Sequence, residues 1–134
     1  MFKDIDTLTQ GECSQLHKSI DYPPFYISIP NYEYSSLLDT YIYHIEVGIK
    51  LDESSIIVRK IDKRYSEIYE FWKRMCQEYN ILKMESFPPK IWIWKNDETK
   101  IGNRYEQLKK CLSRLCEMPG LIHNSDFKSF MVES

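Results

Sequence analysis

Alternation of apolar and polar positions starts at Pro24 and organises the first half of the chain. Phe25, Ile27 and Ile29 fall on one face of a short extended run that Pro30 closes. Residues 31–40 read as a loop or turn. Tyr41, Tyr43, Ile45, Val47, Ile49 and Leu51 then alternate with Ile42, His44, Glu46, Gly48 and Lys50, the pattern of a half-buried strand. Asp52-Glu53-Ser54 supplies a hairpin turn, and Ile56, Ile57, Val58 and Ile61 form a third strand. Three meandering strands make a small antiparallel sheet. Residues 1–22 are polar and lack clean periodicity. They read as a loose arm with Leu8, Leu16 and Ile20 as docking points.

After Tyr65 the period changes to that of a helix. Ile68, Phe71, Trp72, Met75 and Tyr79 recur at helical spacing, with Ser66 as the N-cap and Glu67 in the first turn. Phe87-Pro88-Pro89-Lys90 must be extended, because proline restricts both itself and the residue before it. A bulky run, Ile91-Trp92-Ile93-Trp94, and a polar stretch over residues 95–100 follow. A second helix is expected near Asn103, which with Glu106 fits a capping box. Tyr105, Leu108, Leu112 and Leu115 form its apolar stripe. Pro119-Gly120 ends it, and residues 125–131 read as a last short helix with Phe127, Phe130 and Met131 inward. The fold class is therefore α+β: a three-stranded antiparallel sheet packed against a helical subdomain, with a proline-rich extended segment between the first two helices.

Charge changes this picture. The 134 residues carry a net charge of −2, but residues 1–58 hold 3 basic and 9 acidic side chains, whereas residues 59–134 hold 15 basic and 11 acidic ones. The basic half begins where the third strand meets the first helix, at Lys63-Arg64-Tyr65-Ser66. There an arginine fork, an aromatic wall and a helix start coincide, a combination suited to an anionic, ring-shaped ligand. Lys90 and Arg104 also stand at the edges of elements, where a groove can collect side chains from distant positions. Surface solvation is the alternative reading for each, and it is the preferred one for Arg59, Lys60 and Lys63.

The other chemistry is sparse. Cys13, Cys76, Cys111 and Cys116 contain no C-x-x-C pair and read as reduced thiols of an intracellular protein. His17, His44 and His123 are scattered, with His44 on a strand's outer face. No nucleophile elbow, P-loop or H-E-x-x-H motif is present, so neither an enzyme nor a metal site is expected. Basic and aromatic residues interleave from Arg59 to Arg104, but without a Gly-flanked aromatic motif or a basic recognition helix, and a nucleic-acid partner is not expected. No apolar run spans a bilayer and no signal peptide opens the chain, so a membrane role would be peripheral.

Taken together, Lys63-Arg64-Tyr65-Ser66, Phe87-Pro88-Pro89-Lys90, Asn103-Arg104 with Leu108 and Leu112, and the closing Pro119-Gly120-Leu121 resemble the PX (phox homology) domain. This is the phosphoinositide-binding module of sorting nexins and NADPH oxidase subunits. The resemblance implies a PX domain over residues 23–134 behind an N-terminal extension, residues 1–22. Many members have a longer P-x-x-P run before the lysine, whereas here the prolines abut Lys90. It further implies that Arg64 contacts the 3-phosphate of phosphatidylinositol 3-phosphate and Tyr65 the inositol ring. Lys90 would contact the 1-phosphate and Arg104 the 4- and 5-hydroxyls. Ile91, Trp92, Ile93 and Trp94 would enter the membrane, helped by Lys95 and Lys100. Such a module needs no cofactor and sits in the cytoplasm, peripherally on endosomal or vacuolar membranes. The alternative is a PX fold that mainly docks a protein partner.

Overall fold

A computed structural model of the protein describes residues 2–5, 24–50, 52, 54–90 and 97–132. The three expected strands form and are joined by a fourth. Strands β1 (Phe2–Ile5), β2 (Phe25–Ser35), β3 (Thr40–Lys50) and β4 (Ile56–Arg64) make one antiparallel sheet in the order β1-β4-β3-β2. Helices α1 (Tyr65–Glu78), α2 (Glu98–Leu115) and α3 (Ser125–Val132) follow, with 3₁₀ turns at Met84–Ser86 and Leu121–His123.

β1 corrects the expectation of a loose arm. Its four residues pair Phe2 with Arg59 through Ile5 with Ile56, along the edge of β4 that β3 leaves free. An open edge offers unpaired N–H and C=O groups to any neighbouring segment, so a short strand needs little pattern of its own to pair there. Leu8, Leu16, Ile20, Leu51 and Cys13 lie outside the described residues.

β2 also differs from expectation. It does not stop at Pro30 but runs on to Ser35, and the turn is confined to residues 36–39. Ser28 pairs with Glu46 and Asn31 with His44, so three steps on β2 match two on β3. That is a β-bulge, placed where proline has no N–H to give to the ladder. The extra residue reverses the parity of the strand. Phe25, Ile27 and Ile29 point to the core before the bulge, and Tyr32 and Tyr34, opposite Tyr43 and Tyr41, take that face after it.

The core lies between this inner face and the helices. Ile68, Phe71, Trp72 and Met75 of α1 pack with Leu108, Leu112 and Leu115 of α2 and with Phe127 and Phe130 of α3. The Phe71 and Phe130 rings stack at 4.1 Å. Met131 is only partly buried. Helix starts differ from the expected ones. α1 begins at Tyr65 with Arg64, not Ser66, as N-cap, and the Glu67 carboxylate accepts from the Arg64 N–H at 3.0 Å. α2 begins at Glu98, capped by Asp97, whose side chain accepts from the Lys100 N–H at 3.2 Å. An acid at the cap, with its charge near the positive helix end, outcompetes the Asn103–Glu106 pair. Lys63 is buried rather than solvated, its ammonium 4.9 Å from the Phe130 ring centre. Arg59 donates to the Met131 and Val132 carbonyls at the end of α3.

The outer face carries its own small cluster of Tyr26, Ile56 and Val58. Tyr26 lies flat over Gly48, so close that a Cβ at Gly48 would sit 2.0 Å from the ring. Gly48→Ala therefore has to displace Tyr26, and should destabilise the protein by about 1–3 kcal/mol. Gly102→Ala meets nothing within 4 Å on the helical α2 and should stabilise by roughly 0.5–1 kcal/mol. Urea unfolding of the two variants checks the opposite signs.

Further along this face His44 bridges two carboxylates, Asp62 at 2.6 Å on β4 and Glu33 at 3.0 Å on β2. The Asp62 bond is the main cause that raises its pKa, against burial, with Glu33 assisting. The stabilisation is thus full below the unfolded histidine's pKa and fades as pH rises through the raised folded one. All three side chains are a third or more exposed, which limits the effect to about 1 kcal/mol or less. The unfolding midpoints of wild type and His44→Gln should differ most near about pH 6 and converge towards about pH 8.5. A gap that is constant or grows over this range would rule the clasp out.

Candidate functional site

Tyr65 is where the separate pieces of the expected site meet. It is the first residue of α1, one step past the strand that delivers Arg64, and it is buried. Its hydroxyl donates to the Pro88 carbonyl at 2.5 Å, which fixes the proline segment against the start of α1. The Phe87 ring packs 5.4 Å from it, and Tyr69 lies on the next turn. The Arg104 guanidinium lies over the ring, 4.3 Å from its centre. Burial raises the Tyr65 pKa, and the neighbouring Arg104 charge works against that rise.

The four expected headgroup residues are placed as follows. Arg64 is at the strand–helix corner with its side chain 48% exposed, 3.6 Å from Glu67. That pair is weak enough to open for an incoming anion. Lys90 is exposed, two residues after the carbonyl that Tyr65 holds. Arg104 is half-buried on the second turn of α2. Tyr65 is not the open wall expected for a ring, because Arg104 covers it. Ile91, Trp92, Ile93, Trp94 and Lys95 lie outside the described residues.

What positions Arg104 was not foreseen. The Tyr105 hydroxyl donates to the Ile29 carbonyl at 2.5 Å, in the bulge of β2 where that residue has no ladder partner. The Tyr105 ring packs on Tyr32 at 4.7 Å, and Lys109 sits 4.4 Å above the Tyr105 ring centre. Burial pushes the Tyr43 phenol up to about 12, against the opposing charge and hydrogen bond of Arg104. The signal was present, since the inward alternation that marked Tyr43 as core also puts it at the Arg64 end of β3, where Tyr43 pairs with Lys63.

The described cysteines are not activated thiols. Among the described residues Cys76, Cys111 and Cys116 form no disulfide, and burial raises the thiol pKa of Cys76 and of Cys111, the latter to about 11. That is the opposite of an activated nucleophile. Among the described residues no group of three His, Cys, Asp or Glu could hold a metal ion.

Known proteins give a consistent match. The PX domain family model matches residues 54–134. Among solved structures, a designed CISK-PX domain is 29% identical with a TM-score of 0.63, covering 78% of this chain and 96% of that one. The mouse SNX19 PX domain with bound sulphate ion is 18% identical with a TM-score of 0.53, covering 81% of this chain and 95% of that one. The second likeness speaks for the fold alone. A search of curated proteins finds no matching sequence.

The Tyr65 hydroxyl offers a clean test of this junction. Tyr65→Phe keeps the ring under Arg104 but leaves the Pro88 carbonyl without its donor, so it should cost about 1 kcal/mol in urea unfolding. A loss near zero would mean that the proline segment is held by packing alone.

Proposed function

The chain belongs to the PX domain family, and on that premise we propose that it recognises phosphatidylinositol 3-phosphate and is thereby recruited to endosomal-type or vacuolar membranes. PX domains are generally non-catalytic phosphoinositide-binding modules that bring proteins to membranes. No helix among the described residues is long and apolar enough to cross a membrane, which suits peripheral attachment.

The observation that supports the reading is the Tyr65 junction, where Arg104 lies over the ring, Arg64 precedes it in the chain, and the hydroxyl holds the Pro88 carbonyl two residues before Lys90. In this proposal Arg64 holds the 3-phosphate as a planar fork, exchanging its loose contact with Glu67 for charge-assisted bonds. Lys90 meets the 1-phosphate. Arg104 leaves the Tyr65 face for the hydroxyl edge of the inositol, and the ring takes its place on Tyr65. That exchange gives up a cation–π contact of about 0.5–2 kcal/mol and gains hydrogen bonds from a charged donor, each worth about 1.5–3 kcal/mol. Residues 91–94 would enter the bilayer beside the headgroup.

Sedimentation with phosphatidylcholine vesicles containing phosphatidylinositol 3-phosphate tests the assignment. Arg64→Ala should weaken binding roughly 10- to 100-fold, the loss of one charge-assisted contact. Undiminished binding by this variant would sink the proposal. A protein that ignores phosphoinositides altogether would favour a protein-docking role for the same fold.

A further inference from the structure

Among the described residues Lys63 is the one charged side chain that is buried, with 2% of its surface exposed. It sits on the core side of β4 opposite Tyr43, and its ammonium lies over the Phe130 ring, 4.9 Å from the centre. Among the described residues this ammonium enters no ion pair. A charge taken out of water without an acceptor is costly. An aromatic face recovers part of that loss and leaves donors of the ammonium unused. Lys63 is not sealed in, however. It opens on a cleft of about 350 Å³ between α1 and α3.

The stacked rings of Phe71 and Phe130 also line this cleft. Ser66 brings a hydroxyl from α1 and Ser129 one from α3, and Arg74 brings a guanidinium at the exposed rim. Two carboxylates share the cleft, and they differ. Glu67 is committed to Arg64, lying 3.6 Å from its Nε and accepting from its N–H at 3.0 Å. Glu70 is exposed and forms no ion pair with Arg74 one turn on. Lys63 and Arg74 against Glu70 are two positive charges against one negative, which leaves one positive charge to be answered. A singly charged carboxylate balances it, whereas a doubly charged phosphate leaves an excess. The aromatic lining suits a carboxylate carried on methylenes, as in an acidic side chain.

We propose that the cleft between α1 and α3 is a docking site for a protein partner, which places the carboxylate of an aspartate or glutamate on the Lys63 ammonium. The serine hydroxyls and Arg74 complete its bonds. The site stands apart from the lipid reading and does not depend on it. Nuclear magnetic resonance titration of the whole chain tests it. Sodium acetate, at an ionic strength held constant with sodium chloride, should move the Lys63 Cε resonance and the Ser129 and Phe130 amides along a saturating curve. The peptide acetyl-Gly-Glu-Gly-amide should reproduce these shifts, and its glutamine counterpart should not. Lys63→Met should weaken acetate binding by about tenfold or more. Arg74→Ala, at the rim where folding is not at stake, should weaken it about two- to fivefold. Because methionine replaces an unpaired buried charge with an apolar chain of similar length, Lys63→Met should unfold in urea at the wild-type midpoint or above it. A lower midpoint would make the ammonium a structural part of the core and overturn the proposal. So would acetate shifts no larger than those of chloride, equal shifts from the glutamine peptide, or tighter binding of inorganic phosphate than of acetate.

Discussion

A buried phenol holds the strand, the proline segment and the second helix in one place. Tyr65 is fixed by chain connectivity to the end of β4, so its hydroxyl and its ring face must find partners where that strand stops. The hydroxyl cannot be buried without an acceptor, and the Pro88 carbonyl supplies one. A proline segment suits this role because its backbone is stiff and contributes acceptors without competing donors. The ring face is met by a guanidinium, which sheds part of its water more cheaply than an ammonium would. Take the phenol away, and Arg64, Lys90 and Arg104 have no common reference point.

The bulge at Ile29 and Pro30 is the second constraint. By interrupting the ladder it frees a carbonyl, and that carbonyl anchors α2 through Tyr105, next to Arg104. It also reverses the face on which β2 presents its side chains, so that Tyr32 joins the aromatic bed under α2. A proline that breaks a strand's hydrogen bonding thus sets the position of an arginine 74 residues later in the chain. The sheet holds the site through geometry as much as through contact.

Much of this was legible because it rests on local pattern. Alternation over Tyr41 to Ile49 and the helical stripe from Ile68 to Met75 each report one face of one element, and both faces are buried as expected. The Arg64–Tyr65 corner was legible for a similar reason, as the point where one period gives way to another. What escaped depends on pairing between distant residues. β1 is specified by the open edge of β4. The continuation of β2 beyond Pro30 was hidden because the bulge shifts the phase of the alternation, and a shifted phase looks like a loop. Lys63 looked solvated because nothing nearby in sequence predicts that Phe130 will lie over its ammonium. The same holds for Tyr43, whose bond to Arg104 crosses from sheet to helix.

The stack of Arg104 on Tyr65 has an energetic consequence for the proposed recognition. Arg104 rests on the Tyr65 ring and covers the face that an inositol ring would use. Moving Arg104 costs a cation–π contact of about 0.5–2 kcal/mol, to be set against the charge-assisted bonds a phosphorylated ring would return. A closed site discriminates through that exchange: only a ligand that offers acceptors to Arg104 at its edge and a flat face to Tyr65 recovers what is given up. In the same proposal, a simple anion would satisfy Arg64 and leave Arg104 in place. In the proposed recognition, the stack itself would favour a phosphorylated inositol over inorganic phosphate. Contacts with the bilayer would then add affinity without having to supply specificity, since the second contact of a tethered molecule is made at high effective concentration.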